Sequence, residues 1–376
     1  MIDGFYSGAV KITRVTVYRQ WQPFVSGIYT CSGGRSAGGF DSTIVRVDTD
    51  SGLGGWGEMA PLGSFYDPSF ADGARAGLAL LAPLVIGLDP RQPHVVADVL
   101  DLHLNGHPYV KSALDMACWD LSARSADLPL AEALGGRFSP TIDLYRSVSQ
   151  ASPDEMASQA AGYITDGYRR IQIKVGLDPD DDVDRMEAVI AVLPTSTVVY
   201  ADANGSWQPA DARRFLRRTA HLDYTLEQPC GTYANNLAIR SACDRPLVLD
   251  ESIDSVHTLV RAHGDHLVDG ITIKIARVGG ITKARLIRDL AVELGLQVTV
   301  EDTGGAEIDT AAIAHMSVST PGKSRTHTVD FHNWVTVSNG AADLVCAGGA
   351  MNAPTAPGLG VDVDGASFGE PVLVVG

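Results

Sequence analysis

The 376-residue sequence is poor in cysteine and has no cysteine pattern that builds a site. The cysteines are odd in number and widely separated, and none belongs to a C-x-x-C pair: they are Cys31, Cys118, Cys230, Cys243 and Cys346. This spacing argues against a disulfide framework and against a zinc knuckle. We therefore expect reduced thiols, with Cys118 in the core and Cys230 as a small packed side chain or, alternatively, a reactive thiol.

Long apolar runs and an excess of positive charge are also missing. No stretch approaches the roughly 20 apolar residues that a membrane-spanning helix needs. The chain has 29 Lys and Arg residues against 45 Asp and Glu residues, and its formal charge of −16 repels the phosphates of nucleic acids. The first residues, Met1 to Gly8, contain neither a basic start nor an apolar stretch. We expect no membrane, no nucleic acid, a cytoplasmic location and a small-molecule ligand.

The N-terminal third has two kinds of pattern. From Val10 to about Glu58, alternating segments separated by turn residues predict a small antiparallel meander, and residues 69–126 take up helical spacing. A glycine-rich segment, residues 26–39, lies between the first two strands and is too long for a tight hairpin. We interpret it as either a disordered connection or a mobile lid.

From about Ile142 onward, short runs rich in Val and Ile alternate with amphipathic stretches. Six of these runs end in a charged residue: Lys174, Asp202, Glu227, Asp250, Lys274 and Glu301. Successive ends are 28, 25, 23, 24 and 27 residues apart, which is about one strand–helix unit each. With residues 143–145 before them and residues 328–330 after them, they make eight strands. The sequence predicts a closed α/β barrel.

The charged strand ends should converge, because the carboxyl ends of parallel barrel strands open onto one face. Asp202, Glu227 and Asp250 come from consecutive strands. Carboxylates so near to one another need a cation to neutralise them. Oxygen ligation without His or Cys favours a hard divalent ion such as Mg²⁺. The alternative is that they are unrelated solvated acids at loop starts. We predict a magnesium site with these three ligands.

Lys174 and Lys274 fall on the second and sixth strands, so they should face each other across the mouth of the barrel. Beside a cation and another lysine, the ammonium form is disfavoured, which lowers the lysine pKa towards that of a useful general base. A cation that binds a carboxylate, with a base that removes the adjacent proton, produces an enediolate. Epimerisation, cycloisomerisation and elimination all stay open, and the alternative is that each lysine only pairs with a neighbouring acid.

Two further motifs are weaker. His263 and His266 have H-x-x-H spacing, but they precede the strand that ends at Lys274 and should lie in a surface loop at the opposite end of the barrel. Residues 278–280 lack the spacing of a phosphate-binding loop, so we expect a tight strand-to-helix turn there.

Taken together, these motifs resemble the enolase superfamily, in its mandelate racemase and muconate lactonizing branch. The resemblance covers nearly the whole chain and is carried by Lys111-Ser112-Ala113-Leu114-Asp115-Met116-Ala117-Cys118-Trp119-Asp120-Leu121, Leu134-Gly135-Gly136, Ala201-Asp202-Ala203-Asn204, Glu227-Gln228-Pro229, Asp250-Glu251-Ser252 and Lys274-Ile275-Ala276-Arg277-Val278-Gly279-Gly280. One departure is that the K-x-K pair common at the second strand reads Gln172-Ile173-Lys174 here, with Lys174 at the position of the reacting lysine.

This resemblance implies a modified (β/α)7β barrel over residues 139–340, the catalytic domain. An α+β capping domain over residues 1–138 would be completed by residues 341–376. The branch removes the proton α to a Mg²⁺-bound carboxylate, so the resemblance implies one Mg²⁺ per subunit and an amino-acid carboxylate as substrate. It also implies a homo-oligomer, because this family commonly forms dimers or octamers of like subunits.

Within the branch, the sequence looks most like the cis-3-hydroxy-L-proline dehydratases and the related hydroxyproline-betaine and proline-betaine epimerases. The segments that suggest this are Gly106-His107-Pro108-Tyr109-Val110-Lys111, Glu227-Gln228-Pro229-Cys230, Glu301-Asp302-Thr303-Gly304-Gly305, Thr328-Val329-Asp330-Phe331 and Pro357-Gly358-Leu359-Gly360. The resemblance implies dehydration of cis-3-hydroxy-L-proline to Δ1-pyrroline-2-carboxylate, with racemisation or epimerisation of a proline betaine or similar amino acid as the alternative. The seventh-strand segment departs from the pattern, because no Trp follows Thr303 and Ala306-Glu307 replaces a Gly-Asp-like pair.

The resemblance also suggests roles for individual residues. Lys174 would take the α-proton of the L-substrate, and Lys274 would protonate the leaving hydroxide on the opposite ring face. Asp302, with Glu301 beside it, would hold the ring ammonium or else support a neighbouring residue. Tyr66 would pack against the ring cation or else belong to the capping-domain core, and Asn204 would contact substrate. Residues 26–39 and 63–67 correspond to loops that close over the substrate.

Overall fold

The computed structural model describes residues 10–376. The N-terminal residues inspected above for a targeting signal lie outside this range. Within residues 10–376 no helix is long and apolar enough to cross a bilayer. All five cysteines are free thiols, as their spacing predicts, and Cys118 and Cys230 are both fully buried.

The N-terminal region combines an antiparallel sheet with a helical layer. Its elements are β1 (Ile12–Pro23), β2 (Tyr29–Thr30), β3 (Ser36–Ala37), β4 (Gly39–Thr49), β5 (Gly54–Met59), α1 (Ala71–Val85), α2 (Pro93–His103), α3 (Pro108–Ser125) and α4 (Leu130–Ala133). The predicted meander is confirmed, since β1, β4 and β5 are antiparallel neighbours in that order. Gly55 and Gly57 let β5 approach α3 closely, because a Cβ at either position would collide with the α3 backbone.

The rest of the chain is a barrel followed by short strands. The barrel elements are β6 (Thr141–Asp143), β7 (Arg146–Val148), α5 (Pro153–Thr165), β8 (Arg170–Lys174), α6 (Pro179–Val192), β9 (Val198–Asp202), α7 (Pro209–Arg218), β10 (Thr225–Glu227), α8 (Tyr233–Arg240), β11 (Leu247–Leu249), α9 (Val256–Gly264), β12 (Gly270–Lys274), α10 (Ile275–Val278), α11 (Ile281–Glu293), β13 (Gln297–Glu301) and α12 (Glu307–Val318). The later strands are β14 (Ala341–Ala342), β15 (Cys346–Ala347), β16 (Ala350–Asn352), β17 (Val361–Asp362) and β18 (Leu373–Val375).

Strands β7 to β13 form one parallel sheet in sequential order, which confirms the predicted α/β barrel class. The connecting helices cover the outer face of this sheet and the barrel interior covers the inner face, and β12 is buried at every residue. The sheet curls until its edges meet through isolated parallel bridges, Leu144 to Thr328 and Val298 to Arg325. The ring is therefore completed by an extended segment and not by a regular last strand.

Two predicted strands are placed wrongly. Residues 143–145 do not form the first barrel strand, which is β7, and residues 328–330 form no strand. The reason is that Asp143 ends β6, which pairs with β16 from far along the chain. Thr328 contributes only the bridge to Leu144.

The chain end returns to the N-terminal sheet, where β18 pairs antiparallel with β1. This agrees with the expected contribution of the last residues to the capping domain, whereas β16 pairs with β6 beside the barrel. The domain bounds at residues 138 and 340 stay predictions.

A buried carboxylate ties the N-terminal sheet to the barrel. Glu58 of β5 is fully buried and accepts hydrogen bonds from both parts of the molecule. The donors are the side chains of Gln22 (2.7 Å), Ser42 (2.7 Å) and Asn339 (2.7 Å) and the backbone N–H groups of Ala306 and Asp309 (both 3.1 Å). Ala306 and Asp309 lie at the start of α12, where unpaired N–H groups favour a negative charge. The contact holds the sheet above the carboxyl ends of the barrel strands.

Candidate active site

Strand register brings the charged strand ends together at the barrel mouth. Lys174 of β8 is the direct partner of Asp202 on β9, and Asp202 is in turn the partner of Glu227 on β10. Lys274 of β12 is the partner of Glu301 on β13. Asp250 immediately follows β11. The sequence periodicity thus predicted these ends correctly, although the roles of the residues are a separate question.

Lys174 is held by a short ion pair. Its Nζ lies 2.5 Å from Asp202 Oδ2, and the exposed fractions of the two residues are 6% and 1%. Burial disfavours the ammonium ion, but the charge of Asp202 prevails and raises the pKa of Lys174 well above its ordinary value.

Glu227 has neutral hydrogen-bond donors. Gln172 Nε2 donates to Oε2 at 2.9 Å, and Thr272 Oγ1 donates to Oε1 at 3.0 Å. Burial, followed by the charges of Asp202 and Asp250, raises the pKa of Glu227 well above its ordinary value. The charges of Asp202 and Asp250 therefore oppose ionisation of Glu227 through the interior.

Asp250 sits in a denser network. Arg277 Nη1 is 2.5 Å from Asp250 Oδ1, and the Tyr66 hydroxyl donates to Oδ2 at 2.7 Å. Arg277 also pairs with Asp67 of the N-terminal region, with its Nε 3.0 Å from Oδ1. Burial opposes ionisation of Asp250, but the charges of Arg277 and Lys274 hold its pKa below the ordinary value.

Lys274 contacts two carboxylates. Its Nζ lies 2.9 Å from Glu301 Oε1 and 3.5 Å from Asp250 Oδ2. The Tyr145 hydroxyl donates to the other oxygen of Glu301 at 2.6 Å. Burial disfavours the Lys274 ammonium ion, but Asp250 and Glu301 raise its pKa above the ordinary value.

The lowered lysine pKa was expected for a lysine beside a bound cation and a second lysine, and that expectation stays a prediction. The protein groups by themselves raise the pKa of both lysines. The reason is that Asp202 contacts Lys174, and that Asp250 and Glu301 contact Lys274. Neighbouring carboxylates thus dominate the electrostatics of both lysines.

The three acids fit a divalent cation by their chemistry more than by their present arrangement. Within residues 10–376, no three His, Cys, Asp or Glu side chains are gathered closely enough to hold a metal ion. Asp202 and Asp250 are turned towards Lys174 and Arg277. Even so, Asp202, Glu227 and Asp250 are buried and lie on successive strand ends, and burial together with the charges of Asp202 and Asp250 raises the pKa of Glu227. Such an all-carboxylate set suits Mg²⁺.

Of the predicted substrate contacts, Tyr66 and Asn204 both line a small chamber beside the two lysines. The Tyr66 ring centre is 5.2 Å from Lys274 Nζ, a cation–π distance. Asn204 has a positive φ of 42°, and its Nδ2 donates to Glu251 at 3.0 Å. Its side-chain oxygen is buried without a partner among the described residues.

Glu301 and Asp302 also line the chamber. The Asp302 carboxylate accepts from the backbone N–H groups of Ala276 at 2.9 Å and Thr303 at 2.7 Å. Burial raises the pKa of Asp302 to about 6. Both of its oxygens therefore have protein partners, and its contact with a ring ammonium stays a prediction.

The glycine-rich segment of residues 26–39 is an ordered cap over the mouth. Strands β2 and β3 pair with each other inside it. Ser32 Oγ donates to the backbone oxygen of Asp202 at 2.8 Å, and Arg35 Nη2 donates to that of Asn204 at 3.1 Å. These contacts argue against the disordered connection, while the mobility expected of a lid stays a prediction. The segment rests on the strand end that carries a proposed metal ligand.

Apolar side chains, all but one of them aromatic, form one wall of the chamber. The wall residues are Tyr29, Phe40, Leu62, Tyr145, Phe331 and Trp334. Gly304, which follows Thr303 where a Trp was expected from the resemblance, lies against the Phe40 ring, and a Cβ there would collide with it. Phe40 thus occupies space beside the position at which the sequence departs from the pattern.

Three residues of the site were missed by the sequence analysis. Gln172 precedes Lys174 by two, so strand alternation signals that both face the same side. Arg277 stands one helical turn after Lys274, but its partner Asp67 is remote in sequence, and no local signal reveals the pair. Tyr145 was predicted only as part of a strand, and no role in the site was assigned to it. Its neighbours in the sequence give no indication of its hydrogen bond to Glu301.

The weaker motifs lie in the predicted places but in partly different local structure, because His263 belongs to a helix instead of a loop and the glycine turn joins two helices instead of a strand and a helix. His263 is at the end of α9 and His266 follows it, before β12 begins, on the side away from Lys274. Gly279 and Gly280 have φ values of 103° and 112° and make the tight turn between α10 and α11.

The chain has a parallel barrel whose strand ends join two buried lysines to three carboxylates, beneath an N-terminal cap. This combination defines a class of barrel enzymes. Residues 10–135 match the profile "Mandelate racemase / muconate lactonizing enzyme, N-terminal domain", and residues 155–367 match "Enolase C-terminal domain-like". The chain belongs to the mandelate racemase / muconate lactonizing enzyme family of the enolase superfamily.

Individual relatives agree with this assignment. A cis-3-hydroxy-L-proline dehydratase from Roseibium aggregatum is 42% identical over 363 residues, 96% of this chain and 99% of that protein. An N-succinyl-L-Arg/Lys racemase from Bacillus cereus is 28% identical over 82% of this chain and 85% of that protein. A crystal structure of an enolase superfamily member from Roseovarius nubinhibens, complexed with magnesium, has a TM-score of 0.92 and 38% identity, covering 98% of this chain and 100% of that one.

Proposed function

We propose that this chain is a Mg²⁺-dependent hydro-lyase that converts cis-3-hydroxy-L-proline into Δ1-pyrroline-2-carboxylate. The observation that carries the proposal is the pair of buried lysines, Lys174 and Lys274, on the second and sixth strands of the parallel sheet. The 42% identity to a dehydratase of that specificity over 96% of the chain supports the choice of substrate.

Asp202, Glu227 and Asp250 would hold the cation. When bound, Mg²⁺ neutralises the substrate carboxylate and so makes the adjacent C–H bond more acidic. The residues of the chain then have three tasks, which are to orient the ring, exclude water and move two protons.

Lys174 Nζ takes the α-proton, and the electrons of the C–H bond pass into the carboxylate as an enediolate. Those electrons then form the Cα–Cβ double bond while the Cβ–O bond breaks, and Lys274 Nζ gives a proton to the departing hydroxide to form water. The hydroxyl and carboxylate of the cis substrate share a ring face, so the α-proton lies on the opposite face. Anti elimination therefore suits two lysines on opposed strands, and the resulting enamine tautomerises to the imine product.

The other predicted contacts complete the proposal. Tyr66 and Asn204 would border the substrate, and Glu301 with Asp302 would provide the negative charge near its ring ammonium. We also propose that the enzyme acts in the cytoplasm as a homo-oligomer.

Racemisation or epimerisation is a second candidate function, because two opposed lysines suit both reactions. The racemase from Bacillus cereus is also similar to this chain. The substrate decides between them, since elimination needs a leaving group on Cβ and epimerisation does not.

The test is to incubate the purified enzyme and Mg²⁺ in D₂O with cis-3-hydroxy-L-proline and, separately, with a proline betaine. The proposal expects rapid appearance of Δ1-pyrroline-2-carboxylate from the first substrate and little deuterium in the second. Fast α-deuteration of the betaine without elimination from the hydroxyproline would establish the epimerase instead.

A further inference from the structure

The two lysines differ in their anionic partners. Within residues 10–376, the only carboxylate in ion-pair contact with Lys174 is Asp202, a proposed metal ligand. Lys274 contacts the proposed ligand Asp250 at 3.5 Å, but it also contacts Glu301 at 2.9 Å. Lys274 thus has a carboxylate partner outside the proposed ligand set.

The Glu301 carboxylate also accepts a hydrogen bond from Tyr145. The Tyr145 hydroxyl donates to Glu301 Oε2 at 2.6 Å, while Oε1 accepts from Lys274. Tyr145 and Glu301 have exposed fractions of 6% and 2%, so water has little access to compete for either bond. A single carboxylate therefore links the phenol to the lysine amine.

Tyr145 lies where the two edges of the barrel sheet meet, and its backbone and ring both contact neighbouring residues. Its backbone N–H donates to Thr328 O at 3.0 Å, next to the bridge that closes the ring. Its ring packs edge-on against His327 at 4.9 Å, and His327 packs against Tyr200 at 4.7 Å. Burial and the charge of Glu301 raise the pKa of Tyr145 well above its ordinary value, so the hydroxyl keeps the proton that it donates.

We propose that Tyr145 is a positioning residue for loss of the hydroxyl group: by fixing Glu301, it sets where Lys274 Nζ stands relative to the leaving oxygen. This inference rests on the proposed function. In the step concerned, the Cβ–O bond breaks with its electrons on oxygen, and a proton from Lys274 completes the water molecule. Removal of the α-proton by Lys174 precedes this step and does not need Tyr145.

The test compares Tyr145→Phe with the unaltered enzyme in D₂O, with Mg²⁺ and cis-3-hydroxy-L-proline. Elimination is followed by product formation, and α-proton removal is followed by deuterium in the recovered substrate. We expect elimination to slow about tenfold or more, because a misplaced proton donor is inefficient, while exchange slows much less. The ratio of exchange to elimination should rise. Tyr224→Phe is the matched control, because it removes a buried hydroxyl that bonds Thr219 away from the chamber.

Glu301→Gln gives a second measure, since it removes the charge but keeps an acceptor for Tyr145. It should raise the same ratio, and the effects of Tyr145→Phe and Glu301→Gln should not add in the double variant, because both break one chain of contacts. An unchanged ratio in both folded single variants would overturn the positioning role while leaving the dehydratase intact. Absence of elimination by the unaltered enzyme would contradict the proposed function itself.

Discussion

Lys174 Nζ lies 2.5 Å from Asp202 Oδ2, and the two residues are direct register partners on β8 and β9. The proposed base is therefore bonded to a proposed metal ligand. A change at Asp202 would disturb proton transfer and metal binding together. Glu227 accepts its hydrogen bonds from the neutral side chains of Gln172 and Thr272 instead, so it is the cleaner place to test the cation.

Glu227→Gln should weaken the response to Mg²⁺. The change removes one negative charge from the proposed ligand set, so the Mg²⁺ concentration for half-maximal activity should rise about tenfold or more. Activity titrations and calorimetry with Mg²⁺ measure this. Glu187→Gln, at a half-exposed acid of α6, is the control and should titrate like the unaltered enzyme. Equal Mg²⁺ dependence for Glu227→Gln would remove Glu227 from the ligand set.

Arg277→Met should destabilise the fold. Arg277 pairs with Asp67 and Asp250, both almost fully buried. Its loss leaves Asp67 without its ion-pair partner and leaves Asp250 with only the more distant Lys274, at 3.5 Å. Breaking such a buried pair costs about 3–5 kcal/mol, which urea unfolding in the absence of divalent cations would measure. Arg217→Met, at an exposed position of α7, should change the free energy of unfolding by less than about 0.5 kcal/mol. A comparable small loss for Arg277→Met would mean that the network contributes little.

The strand ends that carry the site show how much of it the sequence could predict. Six strand ends were located within a residue of their observed positions, because short apolar runs at regular spacing are a local signal of parallel strands. Sequence reasoning also placed Lys174 and Lys274 on the correct strands. These parts of the site follow from periodicity alone.

The missed parts depend on contacts between distant residues. Asp67 and Arg277 are 210 residues apart, and Tyr145 and Glu301 are 156 apart, so neither pair has a local pattern. The misplaced first strand has the same cause, since β6 is diverted by its pairing with β16. The raised pKa of each lysine also depended on which carboxylate its side chain touches.

Arg35→Ala should loosen the cap. Arg35 donates to the backbone oxygens of Asn204 at 3.1 Å and Phe65 at 3.3 Å, and both bonds are lost in the variant. We expect KM to rise about tenfold and amide hydrogen exchange over residues 29–37 to quicken, with a smaller change in kcat. Arg19→Ala, which breaks a largely exposed pair with Asp41, is the control. Unchanged exchange in the Arg35 variant would show that the cap is held by other contacts.

His315→Asn should alter the pH dependence of stability. Burial lowers the pKa of His315 to about 3, from an ordinary value of 6.5. The ring accepts from Ala131 N at 3.1 Å and, as the tautomer protonated at Nε2, donates to Leu359 O at 3.1 Å. A neutral folded histidine stabilises the protein fully above pH 6.5, and this contribution falls as acid protonates the unfolded chain between pH 6.5 and about 3.

The variant should therefore be less stable than the unaltered protein at pH 7. The difference should shrink by about 1.4 kcal/mol for each pH unit below 6, because each unit of pKa is worth that much. Urea unfolding from pH 7 to pH 4.5 measures it. His257→Asn, at an exposed position, is the control variant. A constant difference for His315→Asn would contradict the assignment of a neutral buried ring.

The most direct test of the central claim, that two opposed lysines divide the reaction, uses Lys174→Ala and Lys274→Ala in D₂O with Mg²⁺ and cis-3-hydroxy-L-proline. Lys174→Ala should lose both α-deuteration and elimination by about 100-fold or more, because no other base replaces it. Lys274→Ala should lose elimination to a similar extent and still deuterate the α-carbon of recovered substrate. Deuteration retained by Lys174→Ala, or elimination retained by Lys274→Ala, would contradict the account.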